Sequence, residues 1–344
     1  MLRSMDMTSD GVVPACGTRH VSTMTVNADD DVDLHVEIDE APGADLTVVF
    51  CHGYLLSLES WTCQREALRG MVDQPARLVF WDHRGHGDSG WRAGSDVSLD
   101  RLGRDLYAVL RAVVPGGRIV LVGHSMGAMT ILALAAAHPE LFAARVAGVV
   151  LCGGSAGDLA SVTAGIPRPM ARLVHRAIPL ALGALRLQPA LVDTLRRALA
   201  GPSMALTGRF LVGGPEPETI SALVTRLISR TPVEVIGRLW PALVGYDGRD
   251  GLAALTGIPV RVVVGSRDRI TPVEHSALIA AAVPDAELTV LPGAGHLAIL
   301  EFPEEISLLI SRLIRSHRRR RPHRGPVGRP TGRVLTSAMA RRTG

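Results

Sequence analysis

The 344-residue chain has no lysine, so all 37 of its basic residues are arginine. Alanine, glycine and proline are abundant beside it, the mark of a GC-rich coding sequence, and arginine enrichment as such therefore carries no argument for nucleic acid. Cysteine is scarce: Cys16, Cys51, Cys63 and Cys152 form no CxxC pair and no regular framework. That excludes a disulfide scaffold and a cysteine-based zinc cluster, and it fits free thiols in a reducing compartment. Long apolar runs are missing as well. Residues 126–137 form an apolar run of 12 residues, short of the roughly 20 that span a bilayer. No apolar signal-type segment follows the start Met1-Leu2-Arg3-Ser4-Met5-Asp6 within about thirty residues, so a secretory signal is not expected. These absences lead to the expectation of a soluble, cytoplasmic protein.

What is present is apolar material for a sizeable core: 47% of residues are hydrophobic and 20% charged, too little charge for a disordered chain. The formal net charge of +4 taken whole would suggest an acidic partner, but its distribution says otherwise. Residues 318–344 hold nine arginines and no acid, residues 155–245 carry +5, and the rest of the chain is left with −10. The bulk is acidic, and the basic balance comes from a tail and an insertion.

Short runs rich in β-branched residues at 46–51, 78–81, 119–122, 146–151, 260–264 and 288–291 are apolar on both sides, as strands buried on both faces of a parallel sheet are. Residues 24–26 and 34–38 alternate across the acidic turn 27–31, which reads as an antiparallel hairpin at the sheet edge. Helical periodicity fills the gaps at 99–114, 126–137, 273–283 and 304–314. Strand alternating with helix predicts an α/β fold, a mostly parallel sheet sandwiched by helices. Residues 155–245 break this rhythm: no strand pattern, helical stretches at 170–187, 191–199 and 219–228, and prolines that cut them short. The expected organisation is a loose arm over 1–20, a core of 21–154 and 246–316, a helical cap inserted at 155–245, and a disordered arginine-rich tail at 317–344.

Gly123-His124-Ser125-Met126-Gly127 follows the strand at 119–122 and opens the helix at 126. This is G-x-S-x-G on a sharp strand-to-helix turn, which presents a hydroxyl above the sheet edge. Ser125 is the candidate nucleophile. A serine hydroxyl needs a base, and the base needs an orienting carboxylate. Gly293-Ala294-Gly295-His296 follows the last strand and supplies His296 as base, while Asp268 lies just past the penultimate strand, where functional groups of open α/β sheets collect. Asp247 and Asp250 precede that strand and read as capping or loop acids.

The chain order Ser125, Asp268, His296 resembles the α/β-hydrolase superfamily, and the resemblance covers about residues 24–316. Phe50-Cys51-His52-Gly53-Tyr54 looks like the superfamily's His-Gly oxyanion loop; that correspondence implies an oxyanion hole made by the backbone N–H groups of Tyr54 and Met126. Residues 82–89, Asp82-His83-Arg84-Gly85-His86-Gly87-Asp88-Ser89, are similar to its D-x-R-G-x-G-x-S loop, which is mostly structural, so His52, His83, His86 and His124 read as loop residues. The insertion takes the place of the family's cap. Related epoxide hydrolases and haloalkane dehalogenases use an aspartate nucleophile where this chain has Ser125, which disfavours epoxide opening.

The resemblance implies a serine hydrolase acting on a carboxylic ester or thioester of a fairly apolar small molecule through an acyl-enzyme, with no cofactor and no metal. Acyl transfer, C–C bond hydrolysis and perhydrolysis use the same triad, and a ligand-binding protein on this fold is the non-enzymatic alternative. Arg168, Arg172, Arg176 and Arg186 alternate with leucines in the cap. The plain reading is leucines on the core and arginines in water; the sharper one is an acyl chain joined to an anionic or membrane-surface group. Neither cap nor tail makes nucleic acid the expected partner.

Overall fold

In the computed structural model, residues 21–71, 76–162, 177, 211–214 and 218–319 are described. Eight strands pair into one sheet: β1 (Val21–Asn27), β2 (Asp33–Asp39), β3 (Leu46–Cys51), β4 (Arg77–Trp81), β5 (Arg118–His124), β6 (Val146–Cys152), β7 (Val260–Gly265) and β8 (Glu287–Leu291). Their order is β1-β2-β4-β3-β5-β6-β7-β8. The β1–β2 and β2–β4 ladders are antiparallel and all others parallel, with Met24 opposite Val36 and Val26 opposite Leu34 in the edge hairpin. Asp31 closes that hairpin with φ of 61°.

The helices are α1 (Thr62–Met71), α2 (Leu99–Val113), α3 (Met126–Ala137), α4 (Pro139–Arg145), α5 (Glu218–Arg230), α6 (Val233–Val244), α7 (Asp250–Ala253), α8 (Val273–Ala282), α9 (Ala298–Glu301) and α10 (Pro303–Arg319). Period-two alternation in the central strands sorts them into two layers. Val49, Leu121, Val149 and Val262 face Leu106 of α2, Ile131 of α3 and Ile279 of α8. Val48, Val120, Val150 and Val263 face Leu68 of α1 and Ile306, Ile310 and Leu313 of α10. Both faces are therefore dry, which is why these strands read as unbroken apolar runs. The α2 helix starts where Ser98 Oγ accepts the Arg101 N–H at 3.1 Å.

Strand β8 departs from the expectation of two buried faces. Leu288 and Val290 stay 37% and 39% exposed, because β8 is the last strand of the sheet and has β7 as its one partner there. The last helix runs to Arg319, three residues past the boundary expected at 316. Between β6 and β7 the described elements are helices and a 3-10 turn (Leu159–Ser161). Pro241, read as a break, sits inside α6, in its last turn. The other cap helices expected at 170–187 and 191–199, the four cap arginines, the arm at 1–20 and the tail beyond 319 lie outside the described residues. Among the described residues no single helix is long and apolar enough to cross a membrane.

The crossovers reverse direction between β3 and β5, which makes the carboxyl ends of those neighbours the switch point of the sheet, where ligands of open α/β sheets bind. Residues 52–57, 125, 153–158, 268 and 296 all leave that edge.

Candidate active site

Ser125 occupies the turn between β5 and α3 with φ of 51° and ψ of −115°. A non-glycine residue held there stores about 1–3 kcal/mol of strain and persists only when its surroundings insist on it. The Ser125 N–H donates to the Cys152 carbonyl at 2.9 Å, and its own carbonyl accepts from Ala128 and Met129. The flanking glycines leave no alternative: a Cβ on Gly127 would lie 2.1 Å from the Cys51 carbonyl oxygen, and one on Gly123 would lie 2.6 Å from the Ala128 nitrogen.

The structure brings the three separated residues together. His296 Nε2 lies 2.9 Å from Ser125 Oγ, and His296 Nδ1 lies 2.9 Å from Asp268 Oδ2. Asp268 and His296 are each 6% exposed. Burial disfavours the Asp268 carboxylate, but His296 and the N–H groups of Thr271 and Ile270 outweigh it and hold the carboxyl below its ordinary range. Oδ1 accepts both N–H groups at 2.9 Å, while Oδ2 faces His296 and, at 2.9 Å, Thr271 Oγ1. The arrangement keeps a hydrogen on His296 Nδ1 and a lone pair on Nε2, so Nε2 can take the Ser125 proton.

Met126 follows Ser125 directly in the chain, and Tyr54 follows Gly53 in the loop that abuts it. Met126 is the first residue of α3 and fully buried. The loop after β3 abuts Ser125, since a Cβ on Gly53 would come within 3.3 Å of Ser125 Cβ. The Gly53 carbonyl accepts from His52 Nδ1 at 2.8 Å and from the Leu56 N–H at 3.1 Å, which turns the Tyr54 N–H of the same trans peptide to the opposite side. A helix N-terminus and an oriented backbone N–H are together the donors that an oxyanion calls for.

The four loop histidines are buried and neutral. Burial pushes His86 down to about 4 and His124 to about 3, and it holds His52 and His83 well below their ordinary value. His124 Nε2 donates to the His296 carbonyl at 2.9 Å, tying the His296 loop to the turn at Ser125. The 82–89 loop is anchored by Arg84, whose buried guanidinium bonds Asp105 at 2.6 and 2.7 Å and Asp30 at 2.8 and 3.0 Å. His35, Asp82 and Asp88 bring ligand-type atoms within 4.8 Å of one another. Those acids are already engaged, Asp82 by the Leu58 and Asp88 N–H groups and Asp88 by Arg230.

Two supporting residues escaped the sequence reading. Thr271 closes the turn around Asp268 and also lies 2.8 Å from the Gly153 carbonyl; an Asp followed at three residues by a Thr is the signal that could have found it. Glu301 accepts the Gly295 N–H at 2.9 Å and the Gly213 N–H at 2.7 Å, holding the loop that carries His296. Nothing local announces Glu301, because its partners come together only in the folded chain.

Two described helices of the insertion sit over this edge. Val235, Leu239 and Leu243 of α6 pack with Leu99, Leu102, Met126 and Met129, and Val224 and Leu227 of α5 join the cluster that holds Leu56, Trp61 and Leu297. Tyr54 Oη donates to the Ile236 carbonyl of α6 at 2.6 Å. Arg226 and Arg230 of α5 pair with Glu59, and Arg230 also with Asp88. Part of the insertion's positive charge is thus neutralised by acids of the core.

The model of the α/β-hydrolase fold family matches residues 47–303, and the chain belongs to that family. An uncharacterized protein of Mycobacterium tuberculosis (strain ATCC 25618 / H37Rv) is 26% identical over 277 residues, 79% of this chain and 76% of its own length. A thermophilic esterase from Thermogutta terrifontis superposes with a TM-score of 0.64 at 24% identity, covering 86% of this chain and 99% of the esterase. An esterase from Exiguobacterium antarcticum gives a TM-score of 0.66 at 20% identity, covering 85% of this chain and all of its own. At these identities the two structures establish the shared fold.

Proposed function

We propose that the protein is a serine hydrolase that cleaves a carboxylic ester or thioester of a fairly apolar small molecule through an acyl-enzyme. The observation that carries the reading is the unbroken chain Ser125 Oγ, His296, Asp268 at 2.9 Å per step, on the edge where the 52–55 loop meets the start of α3. Ser125 Oγ attacks the acyl carbon while His296 Nε2 takes its proton, and the oxygen that gains charge is received by the N–H groups of Tyr54 and Met126. Loss of one such donor typically slows a reaction about 10²–10³-fold. The tetrahedral species collapses, His296 returns the proton to the departing alcohol or thiol, and the acyl group remains on Ser125. Water then attacks the acyl carbon with His296 as base, releasing the acid and restoring the hydroxyl. The four donors around Asp268 outweigh the cost of its burial, keep it ionised and hold the imidazole oriented.

A chain-length series of nitrophenyl esters, run on the wild type and Ser125→Ala with fluorophosphonate labelling in parallel, tests this. Turnover and labelling that both vanish in Ser125→Ala are expected. A wild type that neither labels nor hydrolyses any ester above background overturns the proposal.

A further inference from the structure

The proposed chemistry leaves the histidines of the 82–89 loop without a task, and one of them touches the oxyanion loop. His86 is 1% exposed, and its Nδ1 lies 3.0 Å from the Arg84 carbonyl. A carbonyl can only accept, so Nδ1 carries the hydrogen and Nε2 presents a lone pair. That lone pair receives the Leu55 N–H at 3.2 Å. Leu55 has φ of 64°, a conformation that residues with a side chain rarely adopt and that needs an external hold. The ring has such a hold behind it, since the carbonyl that sets its tautomer belongs to Arg84, clamped by Asp30 and Asp105.

We infer that His86 is a positioning residue for the oxyanion hole: by accepting the Leu55 N–H it fixes the peptide that follows Tyr54, as the bonds to the Gly53 carbonyl fix the peptide that precedes it. The inference rests on the acyl-enzyme reading of the site. Tyr54 is then held on both flanks, and its side chain is held by the bond to Ile236. Without His86 the turn at Leu55 loses its one side-chain acceptor among the described contacts, and the Tyr54 N–H is set less accurately toward the acyl oxygen. Such an error weakens the transition state more than the bound substrate.

Three variants read this out. His86→Phe keeps a ring and removes the acceptor; kcat should fall about ten- to a hundredfold while KM stays within about threefold. His86→Gln places an amide oxygen near the position of Nε2 and should restore kcat to within about threefold of wild type, whereas His86→Asn, too short to reach Leu55, should stay as low as His86→Phe. Affinity for a trifluoromethyl ketone, whose hemiketal oxygen occupies the hole, should fall in step with kcat across the series. If His86→Phe does not fold, the Gln and Asn variants, both polar and both able to bond the Arg84 carbonyl, decide the matter. An active wild type whose His86→Phe is folded and unimpaired, or a Gln variant as slow as Asn, overturns this inference alone. A wild type as inert as Ser125→Ala toward every ester overturns the hydrolase reading and this inference with it.

Discussion

Changing Asp268 to Asn removes one charge and almost no volume, and the surrounding hydrogen bonds dictate how the new amide sits. The oxygen that accepts the Ile270 and Thr271 N–H groups cannot become an NH2 without setting donor against donor twice. At about 1–3 kcal/mol for each unsatisfied buried group, that orientation is disfavoured by several kcal/mol. The amide therefore keeps its oxygen there and turns its NH2 toward His296 and Thr271, where Thr271 Oγ1 can accept it and send its own hydrogen to the Gly153 carbonyl 2.8 Å away. An NH2 facing His296 Nδ1 selects the tautomer with the hydrogen on Nε2, the nitrogen 2.9 Å from Ser125 Oγ. The base then offers a donor where it should accept. Amidating the carboxylate of a serine triad in this way lowers kcat about 10⁴-fold, or about 5.5 kcal/mol of transition-state stabilisation. Ester turnover at neutral pH with KM measured alongside is the assay, with thermal unfolding as the check on the fold. A folded Asp268→Asn enzyme within tenfold of wild-type kcat would refute the argument, because His296 would then need no carboxylate to hold its tautomer.

The same carboxylate gives a pH prediction. Its folded pKa is held below the ordinary 3.8, so Asp268 stabilises the fold above that value and loses the contribution as pH falls through the lower one. Urea midpoints taken from pH 5 downward should drop more for wild type than for Asp268→Asn, while the loss from charging the buried histidines is common to both; parallel curves would contradict the linkage. Arg84→Met removes the guanidinium from between Asp30 and Asp105 and leaves a fully buried carboxylate with Arg101 as its remaining partner. Breaking a buried pair costs about 3–5 kcal/mol, and the surviving Arg101 contact puts this case at about 3. Scanning calorimetry should show Tm lowered by about 4–6 °C, and a shift under about 1 °C would mean that the clamp carries little of the loop's stability.

Local pattern was enough for much of this molecule. A strand buried on both faces is apolar at nearly every position, and a helix packed on every side likewise; β3 and α3 have the bounds read from the chain, 46–51 and 126–137. The strand-to-helix turn at Ser125 was legible because Gly123 and Gly127 are demanded by backbone collisions that recur wherever a strand turns so sharply into a helix. Helices α1, α4 and α6 were not legible. Among the described side chains of α1, Leu68 is the one apolar residue fully buried, so its stripe is too thin to show periodicity, and α10 supplies the surface it packs on. Proline marks both α4, at its first residue, and α6, inside its last turn, and packing against α2 and α3 outweighs the hydrogen bond that Pro241 removes.

The sequence by itself determined the absences and the chemistry on offer: no disulfide framework, and a serine, an acid and a histidine each placed just after a strand. Only the tertiary structure decided that these groups meet, because Ser125 and His296 are 171 residues apart and a distance of 2.9 Å between them follows from strand order, not from spacing. Tertiary structure also decided where two described arginines of this segment go. Counting charges located a basic segment between β6 and β7, but the pairing of Arg226 and Arg230 with Glu59 and Asp88 depends on how α5 docks, and a charge that docks a helix on the core is one withdrawn from the substrate.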